Sequence, residues 1–294
     1  MGRYDRQLLE FTAGEQERIR AATVGIAGCG GLGSYAATAL ALAGIGRLIL
    51  IDPDVPDITN LNRQFIYCEH VLSGGEPRHK SEMMAEWIRR INPEVNAEYH
   101  IGRFDAGTCG LFDGCDVMVD CLDSISSRLF LNEYSVRTGK PMVHGGISGF
   151  TAELCTIVPG TTACLRCILG DMPDAEKPPA SIGSVVMFAG SLEATEVLKL
   201  VTGRDDESRG TFCSYDLSNG RITPVAFKRD PGCPVCGRRN EERAGRHLNH
   251  ISLKDRGPAP YGIALQPCFT APYRNDLRSR RPFDSESRSA ILLI

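Results

Sequence analysis

Gly28-Cys29-Gly30-Gly31-Leu32-Gly33 fits the spacing G-x-G-x-x-G, and Asp52 stands 19 residues after Gly33. Glycines at those steps let backbone come close to phosphate. A following helix offers free N–H groups, and an acid ending the next strand accepts ribose hydroxyls. The loop by itself does not separate NAD, FAD and ATP; the residues beyond it do. Asp54 follows Asp52, then come Asn60, Arg63 and Gln64, and Lys80 opens a helix. Cations there suit a triphosphate, not a nicotinamide. Asp120-Cys121-Leu122-Asp123 closes an apolar run. Parallel sheets gather ligands at such strand ends, which places Asp123 to hold Mg²⁺ against phosphate oxygens.

A second constellation is made of sulfur. Cys164-Leu165-Arg166-Cys167 and Cys233-Pro234-Val235-Cys236 are two C-x-x-C pairs separated by 65 residues. Four thiolates in such pairs suit tetrahedral Zn²⁺, with redox dithiols as the competing reading. Gly237 permits a tight turn behind the second pair. Cys29, Cys121, Cys155 and Cys213 read as small buried hydrophobes.

These residues need a frame. TVGIA at 23–27 and RLILI at 47–51 are apolar strands flanking an Ala- and Leu-rich helix at 32–43, the opening of a doubly wound sheet. Met84, Trp87, Ile88 and Ile91 share one face of a helix over 80–91 that Asn92-Pro93 stops. Trp87 is expected in the core. VMVD at 117–120 and PMVH at 141–144 add strands around a helix at 126–138, and His144 reads as a core histidine. TAELCTIV at 151–158 alternates and opens a half of different character. A Pro-rich loop at 171–182 precedes a helix at 185–202 that ends on Gly203. The expected fold is α/β, Rossmann-like and doubly wound. Its largely parallel sheet runs into a mixed or antiparallel C-terminal half carrying the zinc. The expected ATP-binding half covers 1–150 and the zinc half 151–236.

The 294 residues are 42% hydrophobic and 23% charged, which excludes collagen, coiled coil and wholesale disorder. Residues 237–294 hold 11 Lys/Arg against 6 Asp/Glu, leaving 22 against 30 in residues 1–236. The 237–294 stretch is expected to be a basic, flexible extension, and its arginines Arg278, Arg280 and Arg281 to be solvated. A net charge of −3 argues against a dedicated nucleic-acid binder. The uncharged stretch 21–46 is broken by glycines and reads as strand, turn and helix, not as a membrane span. MGRYDRQLLEF is charged from residue 3, so no secretory signal is read there, and a reducing, cytoplasmic location is expected.

Arg3-Tyr4-Asp5-Arg6-Gln7, the GCGGLG loop, Asp52, NLNRQ at 60–64, Lys80 and DCLD at 120–123 occur in order. Over residues 3–236 the chain resembles the ThiF/MoeB/HesA adenylyltransferases, relatives of the adenylation domains of ubiquitin-activating enzymes. The resemblance implies that a carboxylate, typically the C-terminal Gly of a ubiquitin-like sulfur-carrier protein, attacks the α-phosphate of ATP–Mg²⁺. It implies that Asp52 binds ribose, that Arg63 and Lys80 bind phosphates, and that Asp123 binds Mg²⁺. It further implies a structural zinc, and a homodimer in which Arg6 reaches the partner subunit's ATP.

Three departures stand beside the resemblance. The family's further cysteine belongs in the loop before the last long helix, where this chain reads Lys177-Pro178-Pro179-Ala180-Ser181-Ile182-Gly183; Pro179 matches it by count. Ser124 follows DCLD where Asn is usual. Arg78 precedes Lys80 and is an alternative phosphate ligand, while Arg128 is read equally as a support for the site or as a surface residue. An NAD- or FAD-dependent oxidoreductase, a non-catalytic scaffold and adenylation of a small-molecule carboxylate are the competing functions.

Overall fold

In the computed structural model residues 2–204 and 209–237 are described, so the expected extension lies, past Gly237, outside the described residues. The helices are α1 (Ala13–Ala21), α2 (Gly31–Ala43), α3 (Cys68–Leu72), α4 (Lys80–Ile91), α5 (Ile125–Thr138), α6 (Leu165–Leu169) and α7 (Gly183–Thr202). The strands are β1 (Thr23–Ala27), β2 (Arg47–Ile51), β3 (Asn96–His100), β4 (Val117–Asp120), β5 (Met142–Ser148), β6 (Thr151–Ile157), β7 (Thr211–Asp216) and β8 (Arg221–Ala226). They form one sheet in the order β3-β2-β1-β4-β5-β6-β7-β8. The pairs from β3 to β5 are parallel; those from β5 to β8 are antiparallel. Winding reverses between β1 and β4, and at such a switch point the loops on either side diverge and leave a crevice.

Alternation along the strands divides the core. Leu48 and Leu50 of β2 pack with α1, α2, α4 and α7. Ile49 and Ile51, one residue out of phase, face α5 and α6. Alanines let α2 lie close to α7, where a Cβ on Gly190 would sit 2.6 Å from Leu32 O. α7 ends at Gly203 in the left-handed region (φ 74°), as expected. Arg18 then donates to Thr202 O at 2.7 Å and Arg204 pairs with Glu15 at 2.8 Å, tying the end of α7 to α1. No helix among the described residues is long and apolar enough to cross a membrane.

Two placements correct the sequence reading. Trp87 is half-buried, not core; its Nε1 donates to Thr38 Oγ1 at 3.1 Å and Phe65 meets its ring edge to face. Cys213 is also half-buried, whereas Cys29, Cys121 and Cys155 are buried as expected.

Candidate active site

A cleft of about 870 Å³ opens at the carboxyl ends of β1, β2 and β4. The tight exit from β1 makes its floor. Gly28 has φ +95°, and a Cβ there would lie 2.4 Å from Cys121 O; a Cβ on Gly33 would lie 2.1 Å from Gly28 O. Only glycine permits this approach of β1, β4 and the first turn of α2. Gly33 thus supports the loop from beneath, while Gly28, Gly30 and Gly31 line the cleft. Gly30 caps α2 without a side-chain bond, so the first-turn N–H groups face the cleft as an anion site.

Asp52 ends β2. Its Oδ2 accepts from Cys29 N at 2.6 Å and its Oδ1 from Asp54 N at 2.8 Å. Burial pushes its carboxyl up, opposed by those two N–H groups. Each oxygen retains a lone pair for a ligand hydroxyl. Lys80 is 6% exposed and reaches Asp54 Oδ2 at 3.0 Å, its position set by Lys80 N donating to Asp54 O at 2.8 Å. Arg63 lies over Gly31 and donates to Thr59 O at 3.0 Å. Asn60 and Gln64 are buried in the same wall, with Gln64 Oε1 unpartnered. Asp123 is exposed on the opposite wall.

The structure therefore brings every nucleotide-side candidate into or directly under one cleft. Arg78, the alternative to Lys80, lies away from the cleft. It pairs with Glu82 at 3.0 Å and Glu86 at 2.5 Å, outside the cleft lining. Arg128 is corrected from a possible surface residue to a buried one that lines the cleft. Ser124 fills the role an Asn could fill at that position: it caps α5, accepting from Ser127 N at 3.4 Å. The sequence reading did not include Arg103 and Phe104, which follow β3 and line the cleft, or Val186 of α7.

Arg6 is exposed and outside the cleft. Its neighbour Tyr4 packs at Gly44 and bonds Asn92 at 2.9 Å, where α2 and α4 end. Both helices begin at the cleft, and the 13 residues of α2 span roughly 20 Å.

The loop at 171–182 roofs the cleft through Pro178, Pro179 and Ser181. It is fastened at Gly149 N to Ala180 O (2.8 Å), Asn62 Nδ2 to Ser181 O (3.0 Å) and Ser126 Oγ to Asp174 Oδ2 (2.7 Å).

The Sγ atoms of Cys164, Cys167, Cys233 and Cys236 all lie within 4.8 Å of one another. Three separations are 3.9, 3.8 and 3.4 Å. Tetrahedral zinc with Zn–S bonds near 2.3 Å requires about 3.8 Å between sulfurs, and a disulfide about 2.05 Å, so the cluster fits the metal. Burial pushes the Cys167 thiol up to about 11. At Cys233 burial acts the same way, but N–H groups of Cys236 and Val235 outweigh it and lower the thiol. None of the four lines the cleft.

Comparison with known proteins agrees with this geometry. The ThiF family profile matches residues 4–235. Protein HesA (heterocyst) of Trichormus variabilis is 35% identical over 240 residues, covering 80% of this chain and 88% of its own. The SAMP-activating enzyme E1 of Haloferax volcanii is 32% identical over 245 residues, covering 81% and 89%. A crystal structure of E. coli MccB with ATP matches with TM-score 0.71 and 26% identity, over 81% of this chain and 75% of that one. The chain belongs to the ThiF family. It is an adenylyltransferase of the ThiF/MoeB, ubiquitin-like-activating type, acting on a carboxylate.

Proposed function

We propose that the cleft adenylates the C-terminal carboxylate of a ubiquitin-like sulfur-carrier protein, with ATP and Mg²⁺, and that its product is the acyl-adenylate. The observation that carries this reading is the convergence of Asp52, Arg63, Lys80 and Asp123 around the glycine loop. Asp52 takes the ribose hydroxyls. The first-turn N–H groups of α2, with Arg63 and Lys80, neutralise the phosphate chain, and Asp123 holds Mg²⁺. The carboxylate oxygen adds to the α-phosphorus and pyrophosphate leaves. No side chain bonds covalently to either substrate, so catalysis is positioning and charge neutralisation. Arg6 acts on the partner subunit's nucleotide, which makes the working unit a homodimer. Residues 1–236 form the adenylation unit, which acts in the cytoplasm without nucleic acid or membrane. The four-cysteine zinc holds α6 to the segment after β8 and takes no part in the chemistry.

An oxidoreductase on this frame is opposed by Lys80, a buried cation beside Asp54 that, with Arg63, suits a triphosphate better than a dinucleotide. A small-molecule carboxylate is the second reading. It is favoured by the roof loop, where Pro179 stands in place of a thiol that would receive a carrier. Calorimetry separates the classes: ATP–Mg²⁺ should bind the wild type, bind Lys80→Ala at least about tenfold more weakly, and NAD⁺ should give no heat. Binding of NAD⁺ without ATP would transfer the site to redox chemistry.

A further inference from the structure

Each N–H that a backbone loop offers to an anion belongs to a peptide plane that also carries a C=O. In a trans peptide the two point in opposite directions. A carbonyl turned into the cleft would repel a phosphate, so the loop's carbonyls must be held on its other side. Gly28 N is spent on Ile51 O at 3.0 Å and Cys29 N on Asp52 Oδ2 at 2.6 Å. Gly30 N donates to no protein atom among the described residues. The first free donor of the loop is therefore Gly30 N–H, and the carbonyl on its peptide plane is that of Cys29.

That carbonyl has a specific partner. Tyr67 is fully buried and does not line the cleft. Its backbone is tied to the 60–64 wall by Tyr67 N donating to Gln64 O at 3.2 Å. A phenylalanine ring would fill the same space, and burying a hydroxyl without a bond is costly, so the oxygen needs a use. Its proton goes to Cys29 O at 2.6 Å, and Lys80 O lies 3.2 Å from the same hydroxyl. Burial pushes the phenol well up, which keeps it a donor. The two sides of the Cys29–Gly30 peptide are thereby divided. Cys29 is buried and outside the cleft lining, whereas Gly30 is partly exposed and within it. The peptide is trans, so holding Cys29 O against Tyr67 turns Gly30 N–H away from Tyr67, to the cleft side.

We propose that Tyr67 is a positioning residue for the nucleotide's phosphates: its hydroxyl holds the Cys29 carbonyl out of the cleft and so aims Gly30 N–H into it. This rests on the adenylation reading, in which the cleft's ligand is ATP. Tyr67 touches no substrate and acts through the loop. A donor fixed before the ligand arrives costs no reorganisation when charge must be met.

The chain has three Cys-Gly steps, at 29–30, 109–110 and 236–237. Full-length protein labelled with carbonyl-¹³C cysteine and ¹⁵N glycine therefore reports these steps alone in a carbonyl–amide correlation spectrum. Gly30→Ala identifies the wanted cross-peak by removing it; a Cβ there meets Gln64 Nε2 at an ordinary 3.6 Å. ATP–Mg²⁺ should move the Gly30 amide and adenosine should not. In Tyr67→Phe the Cys29 carbonyl carbon should move upfield as its hydrogen bond is lost. By calorimetry that variant should bind ATP–Mg²⁺ at least about tenfold more weakly and adenosine less than about twofold more weakly. A hydroxyl with a merely structural role would weaken both ligands alike. Equal losses for the two ligands, or ATP affinity within about twofold of the wild type, overturn the proposal. If Tyr67→Phe does not fold, the wild type decides: a Gly30 amide unmoved by saturating ATP–Mg²⁺ overturns it. Where the wild type binds ATP and these results fail, only this inference falls. A wild type that does not bind ATP ends the adenylation reading, and this inference with it.

Discussion

Lys80 and Arg78 are two residues apart in sequence and carry the same charge, yet the fold places them in different surroundings. Lys80 is packed beside Asp54 in the cleft, while Arg78 is spent on Glu82 and Glu86 outside it. Spacing alone left the pair open, because a charge on the first turn of a helix can point either way. Arg128 was obscured for a related reason. Its burial comes from Gly145 on β5, a partner 17 residues away that no local pattern of α5 reveals. The cleft's lining was legible because the glycine loop, Asp52 and Asp123 each stand within three residues of a strand's carboxyl end. Asp123 carries a prediction at this scale. Removing its carboxylate should cost about 3 kcal/mol or more of transition-state stabilisation, a loss of roughly a hundredfold in kcat. Undiminished turnover in Asp123→Ala, measured with saturating Mg²⁺, would remove it from the reaction.

Elements with strong apolar runs were readable, and those without were not. β2 and β4 announce themselves in RLILI and VMVD. β3 is an edge strand reading NAEYH, with one buried residue, and β8 has none, so neither shows the alternation of a core strand. α1 has a single buried apolar side chain, Ile19. Its signal was the capping box, Thr12 with Glu15, which periodicity does not detect. Two predictions belong to elements. The fragment after β8 should depend on metal, because binding energy at such a site is folding energy. One zinc per chain is expected by elemental analysis, and Cys233→Ser should lose both zinc and stability; metal-free protein of unchanged stability would refute the site. On β6, burial pushes the Glu153 carboxyl from an ordinary 4.5 up to about 7. The native state therefore holds a proton that the unfolded chain releases between those values. Its stabilising contribution is complete below about 4.5 and is lost as pH rises through about 7, a change on the order of 3 kcal/mol. Glu153→Gln should flatten the fall in unfolding free energy between pH 5 and 7.5, read by urea titration; an unchanged slope would place the proton elsewhere.

At the scale of the whole molecule, Arg6 lies by the far ends of α2 and α4, the helices whose starts build the cleft. A trans role follows if the enzyme is a homodimer. Arg6→Ala and Lys80→Ala should each be inactive, and mixing them should restore about a quarter of wild-type activity, because one site in four then has both residues. No recovery after verified subunit exchange would confine Arg6 to its own chain. The fastened roof loop offers no thiol, and Ser181, the hydroxyl in it that lines the cleft, donates to Pro179 O with no base beside it. A carrier substrate should therefore leave no dithiothreitol-sensitive adduct by intact mass; an adduct mapping to Cys213 would reverse that reading. The central claim is adenylation itself. It is tested most directly by exchange of labelled pyrophosphate into ATP, using purified protein, Mg²⁺ and a panel of carboxylates that includes polypeptides ending in Gly-Gly. The account predicts exchange that needs both metal and carboxylate and disappears in Lys80→Ala. Exchange that persists unchanged in Lys80→Ala, or none with any carboxylate while NAD⁺ fills the cleft, would contradict it.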